Sequence, residues 1–378
     1  MIINNVRLVL ENEVVHGSLE IRDGVIRSFT DAVSQLPAAL DGEGGFLLPG
    51  LVELHTDNLD KCFTPRPKVD WPAHSAMSSH DALMVTSGIT TVLDAIGVGD
   101  VRDGGHRLDN LNKMINAITH SQRQGLNRAE HRLHLRCELP YDSTQALFEQ
   151  LKHTPGLSLV SLMDHSPGQR QYASLEKYRE YYQGKYQLNA REMAEYEEQQ
   201  IALAQRWSQP NRAAISAHCR ELGIALASHD DATAEHVDES HAIGSVIAEF
   251  PTTEIAARRS RELGLQILMG APNIVRGGSH SGNVAAHRLA QSGLLDILSS
   301  DYYPASLLDA TFRLAQDETN SYDLPRAVAL VTANPSAALR LNDRGVIAEG
   351  KRADLVLAHT DHGHVHVRHV WAQGRTVY

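Results

Sequence analysis

The middle of the chain alternates short apolar runs with longer stretches of helical pattern. The apolar runs have the length of buried strands, and apolar residues recur at helical spacing between them. The predicted strands are 46–54, 90–95, 133–139, 157–163, 224–227, 246–250, 265–269 and 295–299, and the predicted helices include 107–124, 143–152 and 283–292. Because strands that alternate with helices form parallel sheets, and eight such units close a barrel, we predict an α/β fold of the (β/α)8 TIM type.

Both ends of the chain show a different pattern, in which apolar and polar residues alternate over short stretches. Near the N-terminus, Asp23 and Gly24 form a strong two-residue hairpin signal, because glycine tolerates positive φ. Similar short β stretches recur near the C-terminus. We predict that residues 1–48 and 345–378 pair into one small β domain, and that residues 49–344 form the barrel domain.

The connection over residues 174–223 is far longer than an ordinary crossover between strands. Its sequence is rich in charged residues and contains several tyrosines. We predict an inserted helical hairpin at this point of the barrel. A solvated helix pair, a lid over the site and a contact between subunits are all compatible with this composition.

The amino-acid composition limits the kinds of molecule that this protein could bind. Of the 378 residues, 42% are hydrophobic, which is enough for a large core, but only 5% are aromatic. The 35 lysines and arginines are outnumbered by 46 acidic residues, which gives a formal charge of −11. The chain therefore lacks a broad basic or stacking surface for nucleic acid. An anionic substrate would have to be bound by local cations and by metal ions.

Two features bear on the compartment. No apolar run approaches the length that spans a membrane, and the first residues lack the pattern of a signal peptide. Cys62, Cys137 and Cys219 are widely spaced, which favours reduced thiols over a disulfide framework. We therefore expect a cytoplasmic protein with no membrane partner, and we also expect a homo-oligomer.

Histidine and carboxylate side chains follow the predicted strands. His55 and Asp57 end the first run, and alternation along a strand places residues i and i+2 on the same face. Imidazole and carboxylate groups are both ligands of zinc and similar divalent ions. A hydrogen-bonded pair at the end of a strand is the alternative. Later strands end in the same residue types, at Glu138, Asp164, His165, His229, Asp230, Asp231, Glu249 and Asp301.

These strand ends are the expected place for a metal centre. Catalytic groups of such barrels lie at the C-terminal ends of the strands, where divalent cations can offset the charge of several carboxylates. The candidate metal ligands are His55, Asp57, Glu138, His165, His229 and Asp301. Two alternatives stay open. Glu138 could instead pair with Arg136 or Arg170. Asp230 or Asp231 could cap the helix that follows them.

The sequence resembles the amidohydrolase superfamily in three motifs. They are Pro-Gly-Leu-Val-Glu-Leu-His-Thr-Asp at 49–57, Asp301 after an apolar strand, and Gly-Lys-Arg-Ala-Asp-Leu-Val at 350–356. This resemblance implies a (β/α)8 barrel with a small β-sandwich domain from both termini, and one or two divalent metal ions that activate water. Zinc is the expected metal, with manganese or iron as alternatives.

Longer motifs resemble one branch of that superfamily, the diphosphatases of bacterial phosphonate degradation by the carbon-phosphorus lyase pathway. These motifs lie at 55–67, 161–169, 228–231, 269–282 and 300–304, and the resemblance runs from end to end. It implies a small anionic substrate, a ribosyl triphosphate that carries a phosphonate, which is hydrolysed with release of pyrophosphate. It also assigns Asp301 as the catalytic residue that takes a proton from the attacking water.

The sequence departs from the commonest pattern of the superfamily in three respects. Its first motif is usually His-x-His, where this chain has Asp57, and its bridging ligand is often a carbamylated lysine, where this chain has Glu138. Its later histidines usually follow the fifth and sixth strands, whereas His165 and His229 follow the fourth and fifth predicted strands. Either the strand count is off by one or this branch has moved its ligands. Glu249 is the alternative for the sixth strand.

An anionic substrate needs positive charge near the strand ends. The candidate substrate contacts are Lys61, Arg66 and Lys68 after the first strand, Arg170 after the fourth, and Arg276, Gly277, Gly278 and His280 after the seventh. Glycines in that last loop let backbone N–H groups approach phosphate oxygens, and barrels often bind phosphate there. An ordinary surface ion pair is the alternative for each cation.

Two other functions are compatible with the same fold. A metal-dependent deacetylase or cyclic-amide hydrolase needs the metals but little positive charge, so the candidate cations would point away from the metals. Any enzyme fold can also serve as a catalytically inactive scaffold, but such a protein should have lost some of its metal ligands. This chain retains a full set of candidates.

Overall fold

The computed structural model describes residues 1–66, 69–99, 106–172, 174–279 and 282–378. The strands are β1 (Ile2–Val9), β2 (Val14–Arg22), β3 (Val25–Thr30), β4 (Leu40–Asp41), β5 (Phe46–Pro49), β6 (Leu51–Thr56), β7 (Ile89–Val98), β8 (Glu130–Glu138), β9 (Leu157–Met163), β10 (Ala225–His229), β11 (Ile247–Glu249), β12 (Gln266–Gly270), β13 (Ile297–Ser299), β14 (Leu355–Asp361), β15 (His364–Ala372) and β16 (Arg375–Thr376).

The helices lie mostly between the strands of the middle segment. They are α1 (Asn58–Phe63), α2 (Ala73–Thr86), α3 (His106–Arg123), α4 (Thr144–Leu151), α5 (Leu175–Tyr186), α6 (Ala190–Leu222), α7 (Ala234–Ala242), α8 (Glu254–Glu262), α9 (Ala271–Arg276), α10 (Ala286–Gln291), α11 (Ser306–Gln316), α12 (Leu324–Ala329) and α13 (Ala333–Ala338), with a 3-10 turn at Arg170–Tyr172. In the described part of the chain, no helix is both long and apolar enough to cross a membrane.

The strands form two sheets. One is a mixed sheet built from both chain ends, in the order β16-β15-β14-β5-β1-β2-β3, with β4 beside β1. The other contains the eight parallel strands β6 to β13 in sequence order. Asp301, just after β13, pairs with Thr56 at the end of β6, so the last strand returns to the first. A nearly closed parallel barrel with a separate terminal sheet confirms the predicted fold class.

Each predicted apolar run overlaps an observed strand, and the count of eight barrel strands is confirmed. His165 therefore follows the fourth barrel strand, β9, and His229 ends the fifth, β10. The explanation that the count was off by one is wrong. Of the predicted helices, 107–124 and 143–152 match α3 and α4, whereas 283–292 is shortened to α10.

The first predicted run, 46–54, is not one strand but two, and the break falls at Gly50. Residues before it form β5, which pairs antiparallel with β14, and residues after it form β6, which pairs parallel with β7. A Cβ atom on Gly50 would lie 2.2 Å from Thr90 Oγ1 and 3.0 Å from Asp354 Cβ. Only glycine fits where the chain passes from one sheet to the other. An apolar pattern cannot show this change of sheet, because both strands are buried.

The terminal sheet has its own apolar core, in which Leu8, Leu47, Leu355 and Trp371 are buried together. Fully burying such a side chain contributes about 1.5–3 kcal/mol. The predicted hairpin is present between β2 and β3, where Asp23 and Gly24 have φ of 52° and 79°. Positive φ at both central residues matches the twist of the flanking strands.

The predicted insertion is a helical hairpin made of α5 and α6. The side chain of Ser174 caps α5, and Asn189 and Glu192 form a capping box at the start of α6. Tyr178 and Tyr182 of α5 are buried with Met193 of α6 in a local apolar cluster. The tyrosines therefore hold the two helices together, which a purely solvated pair would not require.

The described chain divides into two compact units, which are treated separately below. Unit 1 comprises Met1–Asp94, Asn116–Arg132 and Met269–Tyr378, and unit 2 comprises Ala95–Ile115 and Leu133–Leu268. Our domain boundaries, 1–48 with 345–378 and 49–344, stay a prediction.

Cys62, Cys137 and Cys219 are free thiols, and the latter two are buried.

Unit 1 contains a buried ionic network that the sequence pattern does not reveal. Asp94 of β7 accepts a hydrogen bond from His80 Nε2 at 2.6 Å and one from His131 Nδ1 at 2.8 Å. The other ring nitrogen of His131 lies 3.3 Å from Asp81. Burial alone would lower the pKa of His131, but the two carboxylates outweigh it and raise the pKa to about 9. His131 is therefore an imidazolium at neutral pH and joins α2 to two strands.

This network predicts a loss of stability at alkaline pH. The folded-state pKa of His131 lies above its ordinary value of 6.5, so its contribution is complete below pH 6.5 and is lost as the pH rises through about 9. His131→Gln should lower the free energy of unfolding by roughly 3–5 kcal/mol at pH 6, because it leaves buried carboxylates unpaired. Urea unfolding at pH 6 and pH 9 measures both effects.

A matched control is His362→Gln, since the side chain of His362 is 95% exposed. That variant should keep the wild-type pH dependence, whereas His131→Gln should flatten it between pH 6.5 and 9. Equal pH dependence in His131→Gln and wild type would mean that His131 is neutral in the folded protein.

Candidate metal centre

In unit 1 the candidate ligands His55 and Asp57 lie at the end of a fully buried strand. Every residue of β6 is buried, and His55 is 1% exposed. The strand ends at Thr56, and Asp57 is the N-cap residue of α1, with φ −100° and ψ 17°. The alternation that we used to place both side chains on one face therefore does not extend to Asp57. Its direction is set by the turn into the helix.

The buried carboxylate of Glu53 fixes the backbone around these ligands. It accepts hydrogen bonds from His55 N at 2.6 Å, from Ser299 Oγ at 2.7 Å and from Ser300 N at 2.6 Å. Burial raises the pKa of Glu53, and these donors offset part of that effect. Glu53 thereby joins the ends of the first and last barrel strands. The sequence pattern does not reveal this role, because Glu53 lies inside an apolar run.

Asp301 follows β13 in a left-handed conformation, with φ of 53°. Its backbone N–H donates to His55 O at 3.1 Å, and its carbonyl accepts from the Asn58 amide at 3.3 Å. Lys61 donates to the carbonyl of the next residue, Tyr302, at 3.2 Å. Unit 1 thus brings the predicted proton acceptor and one predicted cation to the same turn.

In unit 2 the candidate ligand His165 is held by Glu138, the last residue of β8. One carboxylate oxygen of Glu138 accepts from His165 N at 3.0 Å, and the other lies 2.7 Å from His165 Nδ1. Glu138 was predicted as a metal ligand with Arg136 or Arg170 as alternative partners. His165 is an observed partner of Glu138, and both the ligand role of Glu138 and its alternative pairing with an arginine stay predictions.

His229 has a matching arrangement at the end of β10. Its Nδ1 lies 2.7 Å from Glu249 Oε2, and its ring meets that of His165 edge-on at 5.6 Å between centroids. Asp230 Oδ2 lies 3.4 Å from His229 Nε2 and 3.7 Å from His165 Nε2. Burial raises the pKa of Asp230, but His229 and His165 outweigh it, and the pKa lies below its usual range.

These side chains fit a divalent ion. The potential ligand atoms of His165, His229 and Asp230 all lie within 4.8 Å of one another. Asp230 Oδ2 is buried and, among the described residues, accepts no hydrogen bond. Glu138 and Glu249 contact the Nδ1 atoms, and the Nε2 atoms of both rings face Asp230. Carboxylates orient metal-binding histidines through Nδ1 in this way in many proteins.

Asp230 and Glu249 were both identified at strand ends, and Glu249 was the alternative ligand for the sixth strand, but their contacts with His229 were not predicted. Asp230 or Asp231 was a possible helix cap, but α7 is capped by Thr233, so that alternative is wrong. Asp230 has φ of 56°, and its backbone N–H donates to Glu249 O at 2.9 Å. The run of two aspartates directly after His229 was the available signal for an additional ligand.

Arg170 is 2% exposed, and its guanidinium is engaged within unit 2. It forms ion pairs with Asp231 and with Glu239, the latter at 2.9 Å. Burial and the nearby Arg212 lower the pKa of Arg170 to about 10, which leaves it charged at neutral pH. Because two carboxylates already offset this charge, the proposed contact with substrate has no support from the structure and stays a prediction.

The remaining predicted substrate contacts are exposed or half-buried, or they lie outside the described residues. Arg66 pairs with Val69 in a tight turn, and Arg276 is the exposed last residue of α9. Gly277 N donates to Ile274 O at 3.2 Å, and Gly278 N donates to Asn273 O at 2.9 Å. These two N–H groups end α9 and so are not available to phosphate in this conformation, which corrects our expectation. Lys68 and His280 are not among the described residues.

Comparison with known proteins places the chain in a class. A family profile described as "Amidohydrolase family" matches residues 123–378. The chain is 72% identical, over all 378 residues and the full length of both proteins, to a relative from Escherichia coli (strain K12). The chain belongs to the amidohydrolase family. That relative is alpha-D-ribose 1-methylphosphonate 5-triphosphate diphosphatase.

Solved structures agree on the fold. A 5-methylcytosine deaminase from Klebsiella pneumoniae has a TM-score of 0.65 at 16% identity, with 100% of this chain and 98% of that chain covered. An N-acetyl-D-glucosamine-6-phosphate deacetylase from Mycobacterium smegmatis has a TM-score of 0.66 at 15% identity, with 100% of both chains covered. At this identity the likeness shows the fold alone.

The geometry of unit 2 predicts that His229 is needed to bind metal. His229→Asn should weaken binding of a divalent ion by more than about tenfold, because a neutral amide is a poorer ligand than imidazole. The fold should remain, since His229 ends its strand. Metal content by mass spectrometry, with circular dichroism for folding, measures both.

The control is His241→Asn, which changes an exposed histidine in α7 of the same unit. It should bind metal as wild type does. Wild-type metal content in His229→Asn would exclude His229 as a ligand.

Proposed function

We propose that this chain is a metal-dependent diphosphatase. It hydrolyses alpha-D-ribose 1-methylphosphonate 5-triphosphate to the 5-phosphate and pyrophosphate. The observation that carries this proposal is the 72% identity over the whole length to the Escherichia coli enzyme of that name. The reaction consumes one water, breaks the bond between the first and second phosphates of the triphosphate, and is a hydrolysis of a phosphoric anhydride.

Two groups of side chains are the proposed metal ligands. His55, Asp57 and Asp301 form the group in unit 1. Unit 2 supplies Glu138, His165 and His229, to which the structure adds Asp230. Zinc is the proposed metal, with manganese or iron as alternatives, because imidazole and carboxylate ligands suit all three. Such ions supply an activated water and polarise a phosphoryl oxygen.

The residues of the chain have separate tasks in this reaction. The carboxylate of Asp301 takes the proton of the attacking water, and its backbone is held by His55 O and by Asn58. Lys61, next to Tyr302, places an ammonium group beside that turn. A positive charge there attracts the anionic substrate and offsets the charge that develops on its phosphates.

Further cations are needed because the substrate is charged at both ends of its ribose. Arg66 and Arg276 are exposed and are the proposed contacts in the described chain, with Lys68 and His280 outside it. Arg276 stays a candidate through its side chain alone, since the N–H groups of Gly277 and Gly278 are engaged in the end of α9. A cytoplasmic location and a homo-oligomeric state are part of this proposal.

The activity is tested by ³¹P NMR of the purified protein with the ribosyl triphosphate and Zn²⁺ or Mn²⁺. Pyrophosphate and the 5-phosphate should appear together in equal amounts, and chelation of the metal should stop their appearance. Protein that contains metal but releases no pyrophosphate would overturn the proposal. Assay with an N-acetylated sugar phosphate and with a cyclic amide would then identify the rival activities.

Asp301→Asn should lower turnover more than it lowers metal content, because an amide cannot take a proton at neutral pH. Loss of a general base typically costs about 10²–10⁴-fold in rate. Single-turnover rates and metal content of the same sample give the comparison. Full turnover in Asp301→Asn would assign the proton to another group.

Arg276→Ala should weaken transition-state binding by roughly 1.5–3 kcal/mol, the usual size of a charge-assisted contact. Metal content should not change. A 5-triphosphate without the phosphonate assigns the contact, because a defect that disappears on this shorter substrate places Arg276 at the phosphonate. Equal kcat/KM in variant and wild type on the full substrate would make Arg276 an ordinary surface residue.

A further inference from the structure

The inserted helix α6 buries polar side chains along one face. Ser208, Asn211 and Arg212 are 6%, 1% and 5% exposed. Residues three and four apart share a face of a helix, so these three side chains point in similar directions. Burying polar groups is costly unless they are bonded. The hydrogen-bond partners of this face therefore indicate the structural role of α6.

The first contact is with the loop that follows β8 and its terminal residue Glu138. The Asn211 amide donates to Leu139 O and to Tyr141 O, each at 2.7 Å. Both N–H bonds of one buried side chain are used on the backbone of the same loop. This loop begins directly after the carboxylate that orients His165.

The second contact is with the loop that carries His165. Ser208 Oγ donates to Asp164 Oδ2 at 2.7 Å. The other oxygen of Asp164 accepts from Ser166 N at 3.1 Å and from the Ser166 hydroxyl. Asp164 and Ser166 flank His165 on both sides, so Ser208 fixes the turn in which that histidine lies.

The third contact is indirect and reaches the loop that follows β10. Arg212 Nε lies 3.5 Å from Glu239, and Gln209 donates to Glu239 at 2.6 Å. Glu239 also pairs with Arg170, which in turn pairs with Asp231. Asp231 directly follows Asp230, whose backbone is in a left-handed conformation. The chain of ion pairs holds that loop in place.

We propose that the buried polar face of α6, formed by Ser208, Asn211 and Arg212, positions the three loops of unit 2 that hold the candidate metal ligands. Arg170 acts within this network as a positioning residue. The inference rests on the proposed metal-dependent function and extends it to the insertion. A movable lid would have to break these buried bonds at each opening, at a cost of about 1–3 kcal/mol for each group left unsatisfied.

The test is Ser208→Ala, which removes the hydroxyl group that donates a hydrogen bond to Asp164. Mutation of residues that orient metal-binding histidines without touching the metal typically weakens metal binding or activity by about 10–100-fold. We expect Zn²⁺ affinity, measured by chelator competition on metal-free protein, to fall by about that factor. We also expect kcat to fall while KM changes less than about twofold.

Ser216→Ala is the matched control. Ser216 lies on the same helix and is 4% exposed, but its hydroxyl donates to Ala213 O of α6 itself. This variant should keep wild-type Zn²⁺ affinity. If Ser208→Ala does not fold, Ser208→Cys preserves the shape with a weaker donor and carries the same comparison.

The outcomes separate the inference from the proposed function. Wild-type protein that binds none of Zn²⁺, Mn²⁺ and Fe²⁺, or that releases no pyrophosphate, contradicts the function. Active wild type, with Ser208→Ala equal to Ser216→Ala in Zn²⁺ affinity and kcat, would overturn the positioning role of α6. A raised KM at unchanged Zn²⁺ affinity would also overturn it, because that result places Ser208 at the substrate.

Discussion

The first strand of the barrel depends on one buried carboxylate. Glu53 is fully buried on β6 and accepts hydrogen bonds from both the first and the last barrel strand. A buried carboxyl group without hydrogen bonds is costly even when it is neutral, so the donors must be in place whenever the strand forms. These contacts fix the backbone of His55, and the carbonyl of His55 in turn accepts from Asp301 N. Closure of the sheet and the placement of His55 and Asp301 therefore depend on the same small set of hydrogen bonds.

Most of the fold could be predicted from the chain because its signals are local. A buried parallel strand is an uninterrupted apolar run, and eight such runs match eight strands. The change of sheet at Gly50 could not be predicted, because residues on both sides of it are equally apolar. Its cause is the approach of Thr90 and Asp354, which are distant in sequence.

The candidate site was only partly predictable, for a related reason. The rule that functional groups follow strands led to His55, His165, His229 and Asp301 without any structure. It could not show that Glu138 and Glu249 contact Nδ1 atoms, since this depends on side-chain directions across neighbouring strands. It also predicted Arg170 as a contact of the substrate. Its two acidic partners lie on other elements, and no pattern near residue 170 reveals them.

Asp230 and Asp301 both have left-handed backbones, with φ of 56° and 53°. Residues other than glycine adopt this backbone conformation at a cost of order 1 kcal/mol, and aspartate tolerates it better than most other residues. Glycine at either position would relieve that strain and at the same time delete a carboxylate. Selection for heat resistance alone would thus favour replacements that remove two proposed functional carboxylates. A chain with glycine at both positions is expected to be more stable and inactive, which offers a way to recognise relatives that have kept the barrel and abandoned its chemistry.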